Sequence, residues 1–141
     1  MYDDSCVFCR EIIKKRNAAF VYEDDDVVAF MDNAPIDNGH ILVIPREHYQ
    51  DIFSIDNDLY IKIYKTVKKL APVLISSLNA QGLNISQNNG RAANQVVMHY
   101  HVHMIPRYNN SKLNMERHIT DIKELEKTAV KIRAGVLNEE S

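Results

Sequence analysis

The 141-residue chain has two cysteines, four glycines, four prolines and no tryptophan. Two cysteines cannot staple a small disulfide scaffold. So few glycines and prolines leave no low-complexity tract, and no internal repeat is present. No apolar run approaches the roughly 20 residues of a membrane span, so no membrane partner is expected. The formal charge of −2 at pH 7 leaves no basic surplus, and no nucleic-acid partner is expected. The start, M-Y-D-D-S, is acidic and unlike a signal or transit peptide, so a cytoplasmic location is expected. What is present, 45% hydrophobic and 26% charged residues, is ordinary globular composition with enough chain to bury a core.

Chemistry concentrates in Met98–Tyr108, which reads M-H-Y-H-V-H-M-I-P-R-Y. His99, His101 and His103 alternate. On a strand, a period of two projects all three imidazoles from one face, roughly 6–7 Å apart. Tyr100, Val102 and Met104 then take the other face and pack inward. Imidazole titrates near neutral pH and binds metals. The row therefore reads as exposed surface, as a metal chelate, or as a nucleophile flanked by donors for phosphate chemistry. Spacing alone does not choose between the last two.

Further stretches stand in a fixed order around it: F-C-R-E-I-I (Phe8–Ile13), V-Y-E-D (Val21–Asp24), A-F-M-D (Ala29–Asp32), G-H-I-L-V-I-P-R-E-H (Gly39–His48) and N-N-G-R-A-A-N-Q-V (Asn88–Val96). Together with H-Y-H-V-H-M-I they resemble the histidine triad (HIT) superfamily, in its Hint-like bacterial and archaeal branch, over roughly residues 5–110. The resemblance implies an α+β fold, with a five-stranded antiparallel sheet, one long helix and a C-terminal helix, in a homodimer with joined sheets. It implies a HIT domain over 1–110 with a helical extension, 111–141, packed on it. It also implies a hydrolase acting at the α-phosphate of purine nucleotides: a nucleoside 5′-phosphoramidase, or alternatively a dinucleoside polyphosphate hydrolase or a nucleotide-binding module with vestigial turnover.

Site residues follow from the same match. His101 would be the nucleophile, with His103 and His40 stabilising the phosphoryl oxygens and no catalytic cofactor. Asp32 would accept the ribose hydroxyls, and Asn88 and Gln95 would touch phosphate or ribose. Phe8 and Ile12 would line the base pocket, with Glu11 where the family often has isoleucine. Two departures stand in the loop. Asn94 replaces a glycine but tolerates a left-handed backbone, and Val96 replaces a hydroxyl residue. The pair Cys6 and Cys9, alone, reads as a redox dithiol, a disulfide or half a zinc site. The resemblance completes the last with His48 and His99, giving a closed Cys₂His₂ set for structural zinc.

Hydropathy supplies the remaining elements. Arg10–Arg16 reads as a short helix, Phe20–Glu23, Val27–Asp32, His40–Ile44 and Leu83–Gln87 as strands, and Asp24–Asp26 as a solvated hairpin tip. Ile55–Asn79 carries apolar residues at helical steps from Leu59 to Leu78, with Asp56 as N-cap, a kink at Pro72 and Gly82 as the stop. Met115–Ala134 reads as an amphipathic helix. Tyr60, Ile61 and Tyr64 are candidates for a dimer surface.

Overall fold

The computed structural model describes residues 2–140. A π-helical turn, Phe8–Lys14, comes first. Strands β1 (Phe20–Glu23), β2 (Val27–Met31) and β3 (Ile41–Pro45) follow, then helix α1 (Asn57–Leu78), strands β4 (Gly82–Ser86) and β5 (Val102–Arg107), and helix α2 (Ile122–Glu140). The five strands form one antiparallel sheet in the order β1-β2-β3-β5-β4. This is the α+β architecture expected.

Every residue of β2 and β3 is buried, because both faces of the sheet are covered. One face carries Ala29, Val43, Val102 and Met104 and packs under α1 and α2. The other carries Phe30, Leu42 and Ile44, with Phe8, Cys9 and Ile12 of the first turn laid over them. The register puts Phe30 opposite Leu42, and Leu42 opposite His103, on this second face. The site is built there.

Helix α1 starts where its N-cap predicts: the Asp56 carboxylate accepts from the Leu59 amide at 3.2 Å. Leu59, Ile63, Val67, Leu70 and Leu74 form its buried stripe, and the helix runs unbroken through Pro72. It ends at Asn79, in the left-handed region with φ 52°, not at Gly82, which instead opens β4. The acidic tip folds on itself: Asp24 accepts from the Asp26 and Val27 amides. Helix α2 begins at Ile122, seven residues later than its periodicity suggests. Residues 109–121 run as an irregular strap, held by bonds from the His118 amide to the Pro35 carbonyl and from the Thr120 amide to the Asn33 carbonyl, both 3.0 Å. No helix among the described residues is long and apolar enough to cross a membrane.

The turn into β3 depends on Gly39, whose φ is +88°. An added Cβ would collide with Leu78 Cδ1 and lie 3.1 Å from Pro106 Cγ. Gly39→Ala is therefore expected to cost about 1–3 kcal/mol from backbone strain and overpacking. Chemical denaturation against the parent chain measures it; an unchanged midpoint would mean the turn relaxes freely.

Candidate active site

The three histidines do not share one ladder. Strand β5 begins at Val102, so only His103 lies on it. His99 and His101 lie on the bent approach, where the Tyr100 amide is bound by the Tyr49 carbonyl at 2.7 Å. Alternation survives without the ladder: Tyr100, Val102 and Met104 face the helices, and the imidazoles face away. The Phe8 ring stands edge-on between His99 and His101, its centroid 5.8 and 5.3 Å from theirs. It divides the row into two sites.

On one side, His101 and His103 line a cavity of about 660 Å³, their ring centroids 5.1 Å apart. Hydrogen bonds fix each neutral ring. His101 Nδ1 lies 2.6 Å from the His99 carbonyl, so it carries the proton and donates; its Nε2 is left as a lone pair. His40 Nδ1 accepts from the Ile36 amide at 3.0 Å, so His40 Nε2 carries the proton and donates to His103 Nδ1 at 2.9 Å. The proton of His103 then sits on Nε2. Burial pushes the imidazoles down, His40 to about 4 and His103 to about 3, with His101 lowered in the same sense.

Asp32 closes β2 at the cavity edge. Its Oδ1 accepts from the Ala34 amide at 2.9 Å, and its Oδ2 lies 3.5 Å from His40 Nε2. Arg117 Nη1, from the strap, also reaches that Oδ2, at 2.7 Å. Phe8, Ile12, Asn88, Asn94 and Val96 line the cavity with Phe30, Leu42, Ile122 and Leu125. Asn94 takes the left-handed backbone expected of it, with φ 69°. Val96 is 80% exposed at the rim, with no hydroxyl to offer.

Two expected site residues stand elsewhere. Gln95 is buried away from the cavity wall: its Oε1 accepts from the Gly90 amide, and its Nε2 donates to the Gln50 and Val97 carbonyls. With its amide spent on the backbone, it braces the loop rather than meeting phosphate. His40 lies behind His103 and acts through it. Sequence reasoning missed Arg117, because the periodicity placed it on a helix.

On the other side of Phe8, Cys6, Cys9, His48 and His99 converge, their donor atoms all within 4.8 Å of one another. His48 Nδ1 and His99 Nδ1 are 3.2 Å apart, and the sulfur–nitrogen separations are 3.3 to 3.6 Å. Tetrahedral bonds of about 2.0–2.3 Å to zinc require donor separations of about 3.3–3.8 Å. His99 Nε2 donates to the Pro45 carbonyl at 2.8 Å, which leaves Nδ1 free to ligate. His48 Nε2 stands 3.7 Å from the Asp3 carboxylate. The residues fit a closed zinc site. The second acidic–imidazole group, Asp32, His40 and His103, does not fit one, because both His40 nitrogens are already engaged.

Known proteins are similar to this chain in sequence and in fold. The HIT domain family model matches residues 14–110. An adenosine 5′-monophosphoramidase of Candida albicans is 41% identical over 73% of this chain and 70% of its own. A Hit-like protein from Bartonella henselae superposes with a TM-score of 0.86 at 37% identity, covering 96% of this chain and 99% of that one. A zinc-bound histidine triad family protein from Mycobacterium smegmatis superposes at 0.87 with 32% identity, covering 96% of each chain. With its fold, its paired imidazoles and these relatives in agreement, the chain belongs to the HIT family.

Proposed function

We propose that this HIT-family hydrolase is a nucleoside 5′-phosphoramidase acting on purine nucleotides through a nucleotidyl-histidine intermediate. The observation that carries the reading is the oriented lone pair of His101. With Nδ1–H bound to the His99 carbonyl, Nε2 is the ring atom able to attack phosphorus. Attack forms an N–P bond as the bond to the leaving group breaks. Water then releases the nucleotide. His103 Nε2–H, held by the bond from His40, is the donor for a phosphoryl oxygen. Phe8, Ile12, Phe30 and Leu42 give the apolar wall a purine ring needs. Zinc, when bound by Cys6, Cys9, His48 and His99, would supply structural crosslinking, with no position left open for chemistry. The relative from Candida albicans supports the P–N specificity. A homodimer belongs to the same proposal, with Ile61 on α1 and Ile85 on the edge strand β4, each about half exposed, as apolar surface for it.

AMP release from adenosine 5′-phosphoramidate and from a diadenosine polyphosphate, measured on the purified protein without chelator or added divalent metal, tests the reading. Faster cleavage of the phosphoramidate is expected. Faster cleavage of the polyphosphate would reassign the substrate, and release from neither would remove the enzyme reading.

The neutral imidazoles also set a pH dependence. His40 and His103 have folded pKa values below the ordinary histidine value of 6.5. Between about pH 6.5 and 4 the unfolded chain takes up protons that the folded chain refuses. Their contribution is present above pH 6.5 and is lost as pH falls toward the folded values. The melting temperature is expected to decline from pH 6.5 to 4, and replacing His40 by Gln to flatten that slope. Equal slopes in both proteins would show that these rings do not set it.

A further inference from the structure

Among the described residues, Arg117 is the only lysine or arginine in the cavity wall. The hydrogen bonds between them hold His40 and His103 as neutral rings, and burial favours the neutral form of His101, so among the described residues Arg117 is the one permanent cation in the cavity wall. The chain just after it is tied down by the His118 and Thr120 amides, bonded to the loop that follows Asp32. The guanidinium also donates to the Ala34 carbonyl at 3.0 Å, while the side chain stays 45% exposed. It holds the same Asp32 oxygen that stands 3.5 Å from His40 Nε2, so one carboxylate atom separates it from the catalytic imidazoles. A ribose diol needs that oxygen.

We infer that Arg117 is a specificity-determining residue: the ribose displaces it from Asp32, and the freed guanidinium neutralises an anionic leaving group on the α-phosphate. This deepens the nucleotide-hydrolase reading and rests on it. When His101 Nε2 forms its bond to phosphorus, the bond to the leaving group breaks and the electron pair departs with the leaving atom. An amine collects a proton from solvent and departs neutral, so no cation is needed. A sulfate or phosphate departs as an anion without a proton, and its charge must be met inside the cavity. Arg117, planar and permanently charged, can do that with two parallel donors. Arg117 would thereby set the balance between anionic and amine leaving groups on the same α-phosphate.

The test compares kcat and KM for adenosine 5′-phosphosulfate and adenosine 5′-phosphoramidate in the full chain, Arg117→Gln and Arg117→Lys. Arg117→Gln is expected to lower the ratio of phosphosulfate to phosphoramidate turnover at least tenfold, mainly in kcat, and Arg117→Lys to recover part of it. An equal change for both substrates would make Arg117 a strap anchor only. A uniform gain would make it a plug on Asp32, and no change would remove it from the site. Each of these overturns the inference while phosphoramidate turnover still upholds the hydrolase reading. Failure of the unaltered chain to cleave either substrate removes both.

Discussion

Replacing His101 by alanine is expected to lower AMP release from any nucleotide substrate by about 10⁴-fold or more, the scale seen when a covalent nucleophile is removed. No other group can take its place. His103 offers a proton at Nε2 rather than a lone pair, and both nitrogens of His40 are engaged. His103→Ala should cost less, about 10²–10³-fold, as expected for loss of one donor to a phosphoryl oxygen. That ordering is diagnostic, since a metal chelate or a passive binding pocket gives no reason for the middle histidine to matter most. The ring also packs against Phe8, so His101→Asn, which fills more of the space and can keep a donor to the His99 carbonyl, should be as inactive as alanine with less loss of stability. Rapid denaturation at alkaline pH, where an N–P bond to histidine survives, should trap nucleotide on the parent chain and on neither variant. Turnover within tenfold of the parent in His101→Asn would end the assignment of His101 as nucleophile.

Much of this arrangement was legible because local and global demands agree. Val27–Met31 and Ile41–Pro45 are continuous apolar runs, and both became strands covered on two faces. The stripe from Leu59 to Leu74, with Asp56 ahead of it, became α1. Cys6, Cys9, His48 and His99 converge as the ordered motifs implied. What failed was what sequence spacing cannot see. The alternating histidines match a strand, but the chain leaves the ladder because the Tyr100 amide is held by Tyr49 and His101 Nδ1 binds a backbone carbonyl. The strap mimics a helix in its spacing, yet Ile119 within it is 94% exposed. Neighbouring amides there bind the Asn33 and Pro35 carbonyls instead of a preceding turn. Arg117 was hidden for the same reason: its meaning comes from Asp32, which only the fold brings near.

Removing metal should destabilise the chain and lower activity together. Purified protein is expected to carry about one zinc per chain. A ligand that binds only the folded state at a thousand times its Kd adds about 4 kcal/mol, which for a chain of this length is roughly 10–15 °C in melting temperature. Prolonged chelation should remove that increment, and Cys6→Ser or Cys9→Ser should reproduce it without further response to chelator. The effect should reach catalysis through His99. Its side chain belongs to the Cys₂His₂ group, its Nε2 holds the Pro45 carbonyl, and its own carbonyl orients the nucleophilic ring of His101. When His99 loosens, His101 Nδ1 loses a fixed acceptor and the Nε2 lone pair loses its direction. Activity should therefore fall with the folded population and, below the melting transition, by a further factor as His99 shifts. Metal acting directly on phosphate predicts another pattern: chelation would abolish turnover at once with the melting temperature unchanged. Measuring both quantities on the same chelated sample separates the two, because only a structural site couples the loss of activity to the loss of fold.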